Sequence, residues 1–481
     1  MTEKILMEKY DGESSLEEVL RRCQKSFQDY TGRDLLFSRD VTKEEFRARR
    51  GRLAELIGAD AHILILGGPA QASHLASQDA TFYYFTGLDA LQSYLLIDGH
   101  DGHSTLFLPP RDAMDGDPWD KVGFEDADMV GERLGVDTVK AADQLTSALG
   151  AVKRLYIPFA ELEGGGVTRF LANGCAKTRA SDPWDGTTPR HQTVIEKLKN
   201  EFPAMTVEDA SPFIGRMRRV KSPAEIEVLR QAGHLSALIM IESMKATRPG
   251  MCESQLEAIA KYIYSAYGNC DLGYGVIAAS GVRIENGHYH FNNCTLKDGD
   301  VVLMDCGPDL RHYSSDIARI WPVNGRYSDW HRRVYGLIVE YHKVLISLIK
   351  PGIFAQDAYA EARAIVRRDY VKEFFPNGDL YEPLDSMLSR GGPYNHCVGL
   401  SVHDFVGPWR DEVIEEGMVF VVDPMAMFRD LHQYIRVEDT VVVTRDGCER
   451  LTGAAPIEMD DIEELMTCPG AFDPENLRIF S

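Results

Sequence analysis

Two apolar segments of this chain each end in an aspartate, and each is followed by an acid in the next apolar segment. Asp305 ends DVVLMD, and Asp316 lies eleven residues later in YSSDIARIWPV. Asp423 follows MVFVV, and Glu438 lies fifteen residues later in YIRVEDT. Because alternate side chains of a strand share a face, Asp305 and Asp423 fall on faces that are otherwise apolar. A buried carboxylate is costly without a counter-charge, so acids at these core positions are unexpected unless something neutralises them.

One histidine and one arginine accompany the acids. His396 stands before the second pair in GGPYNHCVG, and Arg436 shares a strand face with Glu438. A single Asp at a strand end is usually a turn residue, and a lone buried His is usually a satisfied core residue. Four acids and a His together instead predict a dinuclear site holding two divalent ions about 3.5–4 Å apart. Oxygen-rich ligation with one imidazole suits manganese, iron or cobalt.

The charge and the cysteines exclude several classes of protein. Lys and Arg total 52 against 74 Asp and Glu, a net charge of -22, which argues against a nucleic-acid partner and an anionic membrane. No apolar run approaches the roughly 18 residues of a membrane-spanning helix, and the N-terminus has no signal-peptide core. Nine dispersed cysteines without a CxxC pair indicate reduced thiols. These features predict a cytoplasmic protein.

Patterning divides the chain into three parts. Residues 1–45 carry apolar residues at helical spacing and predict a helical extension. Residues 46–190 alternate predicted strands (AHILILGG, TFYYFTG, SYLLIDG, STLFLPP and RLYIPF) with helices, as in an α/β domain. Residues 191–481 separate long helices from antiparallel strands, as in an α+β domain. The helix after Ser222 has a capping-box sequence, S-P-A-E.

Several segments together resemble a known family. They are RRVKSPAEIEVLRQAG, HYHFNN, VVLMDCG, HCVGLSVHD, EEGMVFVVDP and IRVEDTVVVT, with FYYFTG upstream. They resemble, in order and spacing over roughly residues 46–465, the creatinase/aminopeptidase P group of pita-bread metallopeptidases. The resemblance implies a creatinase-like N-terminal domain followed by a pita-bread catalytic domain.

The resemblance also implies roles for individual residues. The metal ligands would be Asp305, Asp316, His396, Asp423 and Glu438. The catalytic side chains would be His288 near the substrate amide, His403 at the tetrahedral intermediate, Asp423 as the proton shuttle and Arg436 as the site arginine. The implied activity is that of an Xaa-Pro aminopeptidase, which cleaves a short peptide before a proline in second position with metal-activated hydroxide. The implied cofactors are two divalent ions, manganese first, with iron, cobalt or zinc as alternatives. The implied assembly is a homodimer or homotetramer.

Three positions depart from the family pattern. Asp423 stands where the family has Glu, Gly392 stands where a histidine contacts the substrate proline, and Pro424-Met425 replaces Pro-Gly. The altered pocket leaves open a prolidase acting on dipeptides, or a hydrolase or lyase of small non-peptide molecules. An inactive binding module is a further alternative, but it would have no reason to retain so many buried charges.

Overall fold

A computed structural model of the protein describes residues 36–69, 78–111, 121–164, 166–268, 270–390, 396–404 and 412–472. These residues fall into two compact units. The N-terminal unit lies within Gln28–Arg219 and also includes His403 and Asp404, and the C-terminal unit lies within Val220–Val402 and Val406–Ser481. The helix predicted within residues 1–45 lies almost entirely outside the described residues.

The N-terminal unit is an α/β domain. Its helices are α1 Lys43–Ile57, α2 Ala80–Thr86, α3 Ala127–Leu134, α4 Leu145–Leu149, α5 Arg169–Ser181, α6 Arg190–Glu201 and α7 Ser211–Arg219. Its strands are β1 His62–Leu66, β2 Tyr94–Asp98, β3 Ser104–Leu108, β4 Thr138–Ala141, β5 Arg154–Ile157 and β6 Thr206–Asp209. They form a mixed sheet in the order β4-β3-β2-β1-β5-β6. The division differs from the predicted boundary at 190/191, because β6 pairs with β5 and extends the N-terminal sheet.

The segment TFYYFTG is a helix, so the predicted strand is wrong. The carboxylate of Asp79 caps α2 by accepting hydrogen bonds from the backbone N–H groups of Thr81 at 3.0 Å and Phe82 at 3.1 Å. Gly87 ends the helix in the left-handed region, at φ 67°. Every residue of α2 is buried. A helix buried on all sides has no polar face, and its aromatic residues therefore gave the pattern of a strand.

The C-terminal unit is an α+β domain. Its helices are α8 Pro223–Ala246, α9 Glu253–Ile263, α10 Asp329–Leu348, α11 Ala355–Asp369, α12 Val371–Phe374, α13 Glu382–Arg390 and α14 Met459–Leu465. Its strands are β7 Asp271–Leu272, β8 Ile277–Ser280, β9 Val301–Cys306, β10 Pro308–Leu310, β11 Tyr313–Ser314, β12 Ile317–Pro322, β13 Val419–Val422, β14 Met425–Phe428, β15 Gln433–Arg436, β16 Glu438–Val443 and β17 Cys448–Arg450. None of the described helices has both the length and the apolar composition needed to cross a membrane.

Helix α8 begins as its sequence predicts. The Ser222 hydroxyl accepts from the Glu225 backbone N–H at 3.3 Å, and the Glu225 carboxylate accepts from the Ser222 N–H at 3.0 Å. Pro223 occupies the first turn, where its missing N–H costs nothing.

The main sheet of this unit runs in the order β13-β16-β12-β9-β8, with β17 beside β16. Every pair along this order is antiparallel. Strands β8, β9, β12, β13 and β16 are buried along their whole length. The acids that the sequence singles out therefore lie in or directly beside fully buried strands.

Candidate metal centre

One row of residues crosses the sheet and carries two of the acids. Asp305 on β9 is paired with Ala318 on β12, and Ala318 is paired with Glu438 on β16. Directly paired residues project from the same face of an antiparallel sheet, so both carboxylates leave the same face. The residue between them in this row is Ala318, whose side chain is a single methyl group. The sheet thus provides two acids with room for a ligand.

The remaining acids stand at strand ends beside this row. Asp423 follows β13, and the β13–β16 register continued by one residue places it opposite Glu438. Asp316 precedes β12, where the Thr440 hydroxyl accepts from its N–H at 2.9 Å and donates to its carbonyl at 2.8 Å. This one hydroxyl holds the Asp316 backbone against β16. All four acids are at least nine-tenths buried.

Arg436 is the counter-charge of the cluster. Its Nε and Nη2 donate to the two carboxylate oxygens of Asp423, at 2.9 and 2.8 Å. Its Nη1 donates to Asp305 at 2.9 Å, and Nη2 also donates to Glu438. A planar guanidinium presents five N–H donors in a fixed fork, which suits this three-acid contact. Arg436 therefore neutralises only part of the negative charge.

Burial sets the protonation behaviour of these groups. Desolvation and the nearby Asp316 raise the pKa of Asp305 to about 6. Desolvation raises the pKa of Asp423 to about 7 against the opposing effect of Arg436, and raises that of Glu438 well above its usual value. Protons thus compete for the acids that a bound cation would neutralise.

His396 is positioned to act as a neutral metal ligand. Its backbone carbonyl accepts from the N–H of Val421 at 3.1 Å, which fixes it beside β13. Burial lowers the pKa of His396 to about 4, so the imidazole is neutral at pH 7. Its Nδ1 lies 3.3 Å from the carbonyl of Cys397, and its Nε2 lies 3.4 Å from Asp316. One ligand atom each from Asp316, His396 and Glu438 lie within 4.8 Å of one another.

The donor set fits divalent cations. The four acids and His396 offer carboxylate oxygens and one imidazole nitrogen, without a thiolate among them, and the acids are buried. Hard and intermediate divalent metals prefer this chemistry. Arg436 donates hydrogen bonds to both Asp305 and Asp423. These two acids therefore belong to the same cluster, and the five candidate ligands lie close together.

Within the described part of the chain, the other predicted site residues are not shown in contact with the acids. His288 is exposed, and its backbone N–H donates to the Asn286 side chain at 3.3 Å. His403 is partly buried in a turn that belongs to the N-terminal unit, so the C-terminal unit alone does not gather it with the acids. Gly392 lies outside the described residues.

The sequence did not predict two tyrosines that lie at the metal centre. The Tyr274 hydroxyl lies 2.7 Å from Asp305 and 2.5 Å from Asp316, so one phenol proton serves two carboxylates. The Tyr434 hydroxyl donates to the Met425 thioether at 2.8 Å, and the Arg436 guanidinium lies 5.8 Å from the Tyr434 ring. Met425 thus contacts the hydroxyl of a ring that lies beside Arg436. Neither tyrosine has a sequence signal beyond its place next to a predicted strand.

Comparisons with known proteins agree with this architecture. The sequence model of metallopeptidase family M24 matches residues 227–445, and that of the aminopeptidase P N-terminal domain matches residues 46–156. The Xaa-Pro aminopeptidase of Escherichia coli K12 is 30% identical over 459 residues, covering 89% of this chain and 98% of the relative. The human Xaa-Pro aminopeptidase 3 is 27% identical over 458 residues, covering 88% and 86%.

Solved structures have the same fold. The E. coli aminopeptidase P structure with the inhibitor Pro-Leu superposes with a TM-score of 0.71 at 27% identity, covering 89% of this chain and 98% of that one. A putative aminopeptidase P from Bacillus anthracis gives a TM-score of 0.74 at 24% identity, covering 89% and 99%, which bears on fold alone. The predicted creatinase-like domain with a pita-bread catalytic domain is confirmed. With acids, imidazole and fold in agreement, the chain belongs to metallopeptidase family M24, on its aminopeptidase P branch.

Proposed function

We propose that this chain is a metal-dependent Xaa-Pro aminopeptidase, which removes the N-terminal residue of a peptide whose second residue is proline. The observation that carries the proposal is the convergence of Asp316, His396 and Glu438 within 4.8 Å, beside acids bound by Arg436. Relatives named for this activity align along nearly their whole length. Structures titled as complexes of the E. coli enzyme with Pro-Leu and with substrate support a peptide ligand.

The metal ligands that we propose are the four acids and the one imidazole of the cluster. They are Asp305, Asp316, His396, Asp423 and Glu438, holding two divalent cations. We assign manganese as the native metal because the donors are mostly oxygen, with iron, cobalt and zinc as alternatives. Bound cations would polarise the scissile carbonyl and make a water molecule more acidic.

The protein's own groups then handle the proton and the peptide. Asp423 takes the proton from the water and passes it to the leaving amine, while Arg436 fixes the orientation of its carboxylate from two points. His288 contacts the scissile amide, and His403 donates a hydrogen bond to the developing oxyanion. The support for these two histidine roles is the resemblance of the HYHFNN and HCVGLSVHD motifs to the family.

Compartment and assembly are part of the same proposal. The described cysteines are free thiols, which supports a reducing compartment such as the cytoplasm. The proposed assembly is a homodimer or homotetramer, on the family resemblance.

A peptide panel tests the function. The purified protein is loaded with manganese, iron, cobalt or zinc and given Xaa-Pro dipeptides, Xaa-Pro-Xaa tripeptides, longer Xaa-Pro peptides and matched Xaa-Ala peptides. We expect release of the first residue from the tripeptides and longer peptides, highest with manganese, and none from the Xaa-Ala series. Cleavage of dipeptides alone would make the protein a prolidase. Metal binding without any peptide cleavage would favour a small-molecule enzyme, and the absence of metal binding would favour the binding module.

A further inference from the structure

A buried carboxylate outside the metal centre, that of Glu253, accepts four hydrogen bonds. Glu253, at the start of α9, is fully buried. Its Oε1 accepts from the N–H of Ser280 at 2.8 Å and from the Ser280 hydroxyl at 2.7 Å. Its Oε2 accepts from the Tyr289 hydroxyl at 3.0 Å and from the N–H of Cys294 at 2.9 Å. Such full satisfaction offsets the cost of burying the charge and makes the contact a strong one.

The two carboxylate oxygens of Glu253 connect strand β8 with the segment that contains His288. Ser280 ends β8, which pairs with β9 so that Ile277 stands opposite Asp305. Tyr289 directly follows His288 in the sequence. Glu253 therefore links the strand next to the acid-bearing strand with the segment that carries the proposed catalytic histidine.

That segment depends on side chains for its position. Residues 286–294 contain no helix or strand in the structure. Tyr289 and Asn292 point inward and are 4% and 1% exposed, whereas His288 is exposed and Phe291 is 77% exposed.

Asn292 provides a further attachment of the same segment. Its amide donates to the Val276 carbonyl at 2.8 Å and accepts from the Ala278 N–H at 2.9 Å. The inward side chains thus attach the segment to β8 and to the residue that precedes this strand. The outward side chains, including that of His288, are held in place by these attachments.

We propose that Glu253 is a positioning residue for His288, acting through Tyr289 and Cys294. The inference rests on the proposed role of His288 and adds the group that fixes its place. An irregular segment loses its defined position when such contacts are removed, since the freed backbone regains conformational entropy. A displacement of about 1 Å at a catalytic group can cost on the order of 100-fold in rate.

The test is a double-mutant cycle with Glu253→Gln and His288→Ala, assayed on an Xaa-Pro tripeptide. The glutamine keeps the size, but its amide group brings donors to a position surrounded by donors. We expect kcat to fall about tenfold or more in Glu253→Gln at unchanged metal content. In the His288→Ala background the same substitution should change kcat less than about twofold, because the group that it positions is absent.

Glu225→Gln is the matched control. Glu225 is also a buried glutamate in the first turn of a helix, and it accepts from a backbone N–H and from the Tyr313 hydroxyl. Its effect on kcat should be the same with and without His288.

Tyr289→Phe repeats the cycle with one hydroxyl removed and covers the case in which Glu253→Gln does not fold. Equal effects of Glu253→Gln or Tyr289→Phe in both backgrounds, or an unchanged kcat in the single variants, would overturn the proposal. A wild-type kcat in His288→Ala alone would refute the role of His288, and with it this inference. The peptidase activity itself is read independently from the unmodified protein.

Discussion

Arg436 and Asp423 form a two-point ion pair, with Nε–Oδ1 and Nη2–Oδ2 distances of 2.9 and 2.8 Å. The pair fixes the orientation of a carboxylate that is one methylene shorter than the family glutamate. Because Arg436 also reaches Asp305 and Glu438, one side chain connects three of the proposed ligands.

Removing a ligand should remove metal. Asp305→Asn replaces a charged donor with a neutral amide and His396→Ala deletes a donor, so we expect metal content and activity to fall together. Elemental analysis of the purified variants measures this. His432→Ala is the control, since this exposed imidazole pairs with Glu285 and should leave metal content unchanged. Full occupancy in both ligand variants would refute the assignment.

His403→Ala should separate metal binding from turnover. We expect full metal content and a loss of about 100-fold or more in kcat, the usual cost of deleting one oxyanion donor. Steady-state kinetics on an Xaa-Pro tripeptide measures the loss. His191→Ala, at a partly buried imidazole of the same unit that pairs with Glu161, serves as the comparison. Wild-type turnover in the metal-loaded His403 variant would leave His403 a structural residue.

Asp423→Glu should retain both metal ions, because the added methylene restores the family's reach. Asp423→Asn is the matched variant and should lose metal, since an amide carries no charge. Metal stoichiometry by elemental analysis distinguishes the two. If the Glu variant lost metal and the Asn variant kept it, Asp423 would not be a ligand.

Arg436→Met should destabilise the metal-free protein more than the metal-loaded one. Breaking a buried ion pair costs about 3–5 kcal/mol when the remaining charge is uncompensated. Bound cations supply that compensation, so urea denaturation with and without a chelator should show a smaller loss in the loaded state. Arg230→Met removes a partly exposed pair with Glu449 and should cost about 1 kcal/mol or less in both states. Equal losses with and without metal would contradict the compensating role of Arg436.

His331 should contribute to acid sensitivity. Burial lowers the pKa of His331 to about 4, whereas an unfolded chain protonates its histidines near pH 6.5. Only the unfolded state then gains a proton as the pH falls from about 6.5 to 4, so stability is lost in that window. His331→Gln should lose less stability than the wild type between pH 7 and 5, by up to about 2 kcal/mol. Thermal unfolding at both pH values measures the difference, with the exposed His100→Gln as the control variant.

The acids were predictable from sequence because a charge on an apolar strand is a local anomaly. The apolar runs before Asp305 and Asp423 predict both the strand and the face on which each acid lies. The place of each acid and its unusual charge can therefore be recognised from the same few residues. Their roles as ligands remain predictions that the metal analyses test.

Other contacts could not be predicted, because their partners are distant in sequence. Thr440 holds Asp316 across 124 residues, and Glu253 reaches Tyr289 across 36. A threonine within VEDTVVVT is an ordinary strand residue until the sheet order is known. The short polar strand β6 was missed for a similar reason, since its four residues have no apolar alternation and their partner is β5.

The guanidinium among the acids also bears on how the protein is made. A chain that buries its own permanent cation with these carboxylates does not need an ion as a folding nucleus, because Arg436 already offsets part of their repulsion. Synthesis and metal loading become separate events, and the second acts on a finished scaffold. The ion that is bound then depends on the metals supplied to the folded protein as well as on its mostly oxygen donors. Preparations from different growth media would accordingly share one fold while differing in the metal that they contain.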